Sequence, residues 1–140
     1  MDFNHFLTSY MPDTSIGSKQ HFKNMLEECV TAEKLGYATV SIPEHHLINL
    51  LMMPSPLQMA VKIASVTKNI KITTGIVVLP LHDMRTYAGE VATADILTEG
   101  RLILGVGRGA FPWEMKRLGT LIEQKKEKFV ESLEVLQLLL

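Results

Sequence analysis

A single cysteine, Cys29, stands in the 140-residue chain, so no internal disulfide can form. That excludes a bridge-stapled scaffold and makes a reducing cytoplasm the expected setting. Charge of one sign is missing too, since fourteen Lys and Arg face fifteen Asp and Glu for a formal net charge of -1. No field is available to draw in a nucleic-acid backbone or an anionic membrane. Apolar runs such as Gly75 to Leu79 fall far short of the roughly 18 residues that a membrane span needs. The start, Met1-Asp2-Phe3-Asn4-His5, carries neither the basic nor the apolar part of a signal peptide. Low-complexity segments and interdomain linkers are also lacking. Against these absences stands a hydrophobic content of 46%, enough for a packed core. The expectation is a soluble, cytoplasmic, globular chain.

What is present alternates short apolar strands with amphipathic helices. Asp2 to Leu7 reads as a first strand, and a helix follows from about Lys19 to Leu35, with Gly36 as its left-handed cap. Tyr37 to Ile42 is rich in β-branched residues and too short for a helix, so it reads as a second strand. Ser55 and Pro56 start a second helix, with Ser as cap and Pro at its first position. Ile70 to Leu79 reads as one continuous third strand, almost wholly apolar in its second half, as befits a parallel strand covered on both faces. Asp83 caps a third helix that runs to about Thr98. Arg101 to Val106 is the fourth strand, followed by an irregular loop with Gly107, Gly109 and Pro112. A last helix begins near Leu121, with Phe129, Leu133, Leu136 and Leu140 on one face.

The strand starts, near residues 2, 37, 70 and 101, recur at the spacing of a βα unit. Four such units form a parallel α/β sheet, open or closed into a barrel. A complete eight-unit barrel takes roughly 250 residues, so the chain is expected to hold four units, the first half. Its end in Leu138-Leu139-Leu140 points to a truncated form, with exposed edges that favour homo-oligomers or association.

Ligands of parallel α/β folds gather at the carboxyl ends of the strands. Those ends offer His5 and Thr8 to Tyr10, then Glu44-His45-His46, then His82, Asp83 and Arg85, and finally Arg108. A histidine there suits general acid or base work, because it titrates near neutrality. Glu44 can orient a neighbouring ring or bind a ligand; alternatively it caps the loop while the histidines bond backbone carbonyls. A metal held by His45, His46 and His82 is a further option, although no helical His-Glu-x-x-His spacing supports it. The Gly105-Val106-Gly107-Arg108-Gly109-Ala110 run also fits a dinucleotide fingerprint, but that fingerprint needs a helix starting at once. The glycines either let backbone approach a flat or phosphorylated ligand beside Arg108, or merely relieve crowding. The apolar loop through Leu47, Ile48, Leu50, Leu51, Met52 and Met53 either packs on further structure or walls a substrate pocket.

Ser41-Ile42-Pro43-Glu44-His45-His46, Gly75-Ile76-Val77-Val78-Leu79-Pro80, and Asp95 to Arg101 leading into Gly105 to Gly109 together form an ordered set. In order and spacing, that set resembles the bacterial luciferase-like flavin monooxygenase family. The resemblance implies the first half of a TIM-type (β/α)8 barrel with parallel (β/α) units. It implies an enzyme using reduced FMN, delivered by a separate flavin reductase, and O2 to oxygenate a small organic substrate. His45 then corresponds to the catalytic histidine with Glu44 beside it, and Arg108 to the arginine on the flavin phosphate. Ala110 and Phe111 fall on flavin-contacting positions, and Gly75-Ile76 on a non-proline cis peptide beneath the flavin ring. A deazaflavin is the alternative cofactor, since a related branch uses one for hydride transfer. A non-catalytic half-barrel or partner subunit, or a nucleotide-binding domain, are the competing functions.

Overall fold

The structure, a computed structural model, describes residues 1–140. Its elements in order are β1 (Asn4–Phe6), α1 (Gly17–Lys34), β2 (Thr39–Ile42), α2 (Pro56–Ala64), β3 (Lys71–Thr74), β4 (Val77–Val78), α3 (Met84–Leu97), β5 (Leu102–Ile103), β6 (Val106–Gly107), α4 (Pro112–Arg117) and α5 (Lys125–Leu139). The strands β1, β2, β3 and β5 lie side by side in chain order, all parallel, with Asn4 opposite Thr39, Val40 opposite Ile72, and Ile72 opposite Leu102. Farther along the chain direction, β4 and β6 pair in parallel through Val77 and Val106. Sequential parallel strands joined by helices are the pattern of a (β/α) barrel half, and the sheet direction puts the strand ends on one rim. No helix is long and apolar enough to cross a membrane.

Local signals account for most helix ends. The Asp83 carboxylate accepts the Arg85 N–H at 3.0 Å and so caps α3. Gly36, at φ 81°, takes the left-handed position after α1, where a side chain would be strained. Pro56 opens α2 as expected, but the Ser55 hydroxyl makes no capping bond.

Three expectations need correction. Ile70 to Leu79 is not one strand: it breaks between β3 and β4 at the Gly75–Ile76 peptide, which is cis, and Leu79 already belongs to a 3-10 turn. Arg101 to Val106 breaks as well, around Leu104 and Gly105. There the Thr74 hydroxyl donates to the Gly105 carbonyl at 2.8 Å and accepts the Gly105 N–H at 2.9 Å. One side chain thus satisfies backbone groups that a continuous ladder would have paired. The stretch after Gly109 is not a loop, because Pro112 opens the short helix α4, with Glu114 in its first turn.

Two apolar clusters hold the helices to the sheet. Met25, Cys29 and Ala32 of α1 meet Val40, Ile42 and Ile72 of the strands and Ala60 and Ile63 of α2. Tyr87, Ala88 and Val91 of α3 pack with Leu57, Val77, Leu79 and Leu136 of α5. Phe129 and Leu133 join the second cluster as expected, whereas Leu140 stays 63% exposed. Cys29 is fully buried and packs as an apolar group in the first cluster, and burial pushes its thiol up to about 12.

At the opposite end of the sheet from the rim, Glu33 of α1 ties down the turn before β3. Its carboxylate accepts the N–H groups of Lys68, Asn69 and Ile70 at 2.9, 2.7 and 3.0 Å. Burial pushes this carboxyl up, but the three amides outweigh it and hold the group below its ordinary range. Glu33→Ala should therefore cost about 1–3 kcal/mol in urea unfolding at neutral pH. The difference should shrink as pH falls through the lowered native value, because protonation removes the same interaction from the unsubstituted chain. Equal stability of the two chains at pH 7 would contradict this role.

Candidate functional site

The run Pro43-Glu44-His45-His46 follows the end of β2, and within it the side chains of Glu44 and His46 bond each other while His45 has different neighbours. Glu44 is buried, and its Oε1 accepts from His46 Nε2 at 2.6 Å and from His82 Nε2 at 2.8 Å. Its Oε2 accepts the backbone N–H of Val78 at 2.7 Å. His82 in turn stacks on the buried Tyr87 ring of α3, with centroids 4.2 Å apart. One carboxylate thereby joins the end of β2, β4 and the segment before α3.

Burial pushes the Glu44 carboxyl up, yet the two imidazole bonds and the Val78 amide prevail and hold it below the ordinary carboxylate range. The bond to Glu44 lifts the His46 imidazole above its ordinary value, against the opposite pull of burial. A buried carboxylate is tolerable because every acceptor direction used meets a donor.

His45 occupies separate surroundings. Its backbone N–H donates to the Met53 carbonyl at 2.9 Å, and its ring lies 5.4 Å from the Phe111 ring. Its Nδ1 is buried without a hydrogen-bond partner and lies 3.9 Å from Glu114 Oε2. The buried Glu114 also accepts the backbone N–H of His46. Arg117, one turn further along α4, sits over the Trp113 ring at 5.3 Å and donates to the Leu47 carbonyl at 3.3 Å. The helix α4 thus clamps the loop after β2.

A cleft of about 360 Å³ opens between these parts, lined among others by Glu44, His45, Gly75, Ile76, Arg108, Ala110, Phe111 and Glu114. Every residue singled out from the sequence as catalytic or cofactor-binding borders this one space. Arg108 is exposed and takes no part in the ion pairs or side-chain hydrogen bonds of the chain. The sequence reasoning missed Glu114, the Val78 N–H and Tyr87. Pro112 with Glu114 two residues on is a helix-start signal that would have found the first.

Other expected participants lie elsewhere. His5 faces α1 and bonds Glu28 at 3.2 Å, so it does not join the rim histidines. Arg85 pairs with Asp83 on the surface. The trio with metal-ligating atoms close together is Glu44, His46 and His82, all within 4.8 Å, and His45 is not in it. Since Glu44 Oε1 takes both imidazole bonds, hydrogen bonding accounts for the trio. Of the two readings of the glycines, crowding decides the tightest contacts. A Cβ at Gly105 would lie 2.1 Å from the Thr74 carbonyl oxygen, and one at Gly107 would lie 2.3 Å from Ile76 Cδ1. The apolar loop divides: Met53 is core, whereas Leu47, Ile48, Leu51 and Met52 line a cavity of about 480 Å³ that also touches His45.

The model of the luciferase-like monooxygenase family matches residues 1–140. The chain belongs to the luciferase-like monooxygenase family. It is 32% identical over 97% of its length to an uncharacterized protein, y4vJ, of Sinorhizobium fredii, of which it covers 39%. It is 36% identical, over 71% of its length, to 28% of the oxygenase component of the flavin-dependent trigonelline monooxygenase of Acinetobacter baylyi. Among solved structures it resembles the oxygenating constituent of 3,6-diketocamphane monooxygenase from Pseudomonas putida, in complex with FMN. That likeness has a TM-score of 0.89 at 24% identity and covers 97% of this chain and 39% of that one. This luciferase-like chain therefore spans at most about two fifths of these proteins, with the half-barrel architecture in common.

The Glu44 network gives a pH signature of stability. The Glu44 part is complete above 4.5 and is lost as pH falls through its lowered native value. The His46 part is complete below 6.5 and is lost as pH rises through its raised native value. Urea unfolding of Glu44→Gln should show a loss of about 2–3 kcal/mol, greatest between these two values and smaller at either extreme. A deficit that does not vary with pH would remove the network from the account.

Proposed function

We propose that this chain forms the cofactor-binding rim of a flavin-dependent monooxygenase that uses reduced FMN and O2 to oxygenate a small organic substrate. The observation that carries the reading is the unpaired Arg108 guanidinium in the same cleft as His45, the exposed Ile76 and Phe111. A guanidinium without an internal partner suits a phosphate, which it can meet with two parallel N–H donors. Ile76, Phe6 and Phe111, each more than a third exposed along the cleft, offer apolar surface to a flat ring. The residues present fit FMN: Arg108 would hold its phosphate end, and Gly75, Ile76, Ala110 and Phe111 its ring. Bound reduced flavin supplies the electrons with which O2 is activated.

The chain's own part is orientation, shielding and proton handling. Glu44, through His46 and His82, fixes the loop that carries His45, as a buried carboxylate bonded to several donors can do. His45 is the residue for acid–base work, because it borders the cleft and stays outside that network. The neighbouring cavity along Leu47, Ile48, Leu51 and Met52 is a place for an apolar substrate portion. The flavin-dependent relative described above is the oxygenase component of its system, which supports delivery of reduced flavin by a separate reductase. A cytoplasmic setting accords with such a supply.

Arg108→Ala tests the reading. By fluorescence quenching, FMN affinity should fall about 10- to 100-fold, the worth of a charge-assisted phosphate contact. Binding of riboflavin, which has no phosphate, should stay the same. Unchanged FMN affinity would overturn the assignment of Arg108, and tighter binding of a deazaflavin than of FMN would replace the cofactor.

A further inference from the structure

We propose that Glu114 is a positioning residue for His45, setting the ring to its Nδ1-protonated tautomer and leaving Nε2 as the basic nitrogen. The proposal rests on the reading of His45 as the acid–base group only for its consequence; the tautomer itself follows from the geometry. His45 Nδ1 is buried and has no hydrogen-bond partner, and Glu114 Oε2, 3.9 Å away, is its charged neighbour. Phe111 packs against the same ring and offers no polar atom. A carboxylate has only acceptors to present. A lone pair on Nδ1 would face those acceptors with repulsion, whereas an N–H meets them with attraction. Orientation of a histidine by a carboxylate on one nitrogen, so that the other is free for chemistry, is a general device of acid–base sites.

Glu114 is itself held from moving. It is buried, sits in the first turn of α4, and accepts the His46 backbone N–H. The next residue, Met115, is 1% exposed, and Thr120 beyond the helix donates to the Pro80 carbonyl at 3.1 Å. The carboxylate is therefore held by one backbone bond, on a helix that is itself anchored.

That second bond makes Glu114→Gln a sharp test. The His46 N–H must meet an oxygen, so the amide oxygen takes that side and the NH2 group faces His45 Nδ1. The ring then has to accept at Nδ1 and carry its proton on Nε2, the opposite tautomer in nearly the same shape. The ring 15N signals of His45, assigned by their loss in His45→Asn and recorded at alkaline pH, read this directly without flavin or substrate. The unsubstituted chain should show the Nδ1-protonated pattern, Glu114→Gln should reverse the ratio, and Glu114→Asp should restore it at least in part. A purely structural carboxylate would leave the ring pattern unmoved. An Nε2-protonated pattern in the unsubstituted chain overturns the proposal outright, even if the glutamine variant does not fold. A glutamine variant that folds and keeps the original pattern overturns it equally. Because no cofactor takes part, failure here leaves the Arg108 test intact, and failure there leaves this one intact.

Discussion

The buried carboxylate of Glu44 is the constraint on which the rim depends. An ionised group out of water is costly unless donors surround it. Here the donors come from three places in the chain: Val78 of β4, His46 after β2, and His82 before α3. Each is a strand end or the start of the following connection. Satisfying one charge therefore fixes the relative positions of the second and third βα units on the side where the cleft lies. Hydrophobic packing beneath, between α1, α2 and the sheet, supplies the bulk of the cohesion but has no comparable directionality.

A second constraint is the close approach of backbone to backbone on the rim. The Thr74 carbonyl oxygen occupies the space that a side chain at Gly105 would need, and Ile76 fills that at Gly107. The strands β3 and β5 thus end in a junction where one threonine hydroxyl serves two groups of Gly105. The chain resumes as the separate pair β4 and β6. The glycine-rich run is a packing device first. Its resemblance to a dinucleotide fingerprint arises because both need small residues after a strand, for different neighbours.

Much of this was legible in the sequence because the signals were local. Gly36, Pro56 and Asp83 mark helix ends through their own backbone or side-chain chemistry, and the spacing of apolar segments reveals the repeated βα unit. The breaks within the third and fourth strands were not legible, since buried Thr74 before Gly75 and buried Val77 and Val78 after Ile76 are β-branched residues that a continuous strand would also use. Burial on both sides of the break demands the same residue types that a continuous strand does. Residues of the cleft could be listed from the strand ends, but their partnerships could not. Glu44 stands next to His45 in the sequence, but it bonds the rings of His46, two residues on, and His82, 38 positions away. The closeness of Glu44 and His46 in the sequence held half of that answer. The other half required tertiary placement.

The alternation in Glu44-His45-His46 also explains how one short segment can be both rigid and reactive. On one side, Glu44 and His46 are consumed by the hydrogen-bonded network that anchors the rim. On the other, His45 meets Phe111 and Glu114 from α4, an element that arrives only after the fourth strand. The two carboxylates stand in unlike relations to their histidines. Glu44 bonds directly to two rings and fixes structure, while Glu114 bonds to backbone and faces a third ring across 3.9 Å. A histidine bonded to a buried structural carboxylate loses that anchor when it gives up its proton, and one with no oriented neighbour has no defined tautomer. On the proposed reading, His45 avoids both conditions because its ring meets Glu114 and Phe111 and takes no part in the Glu44 network.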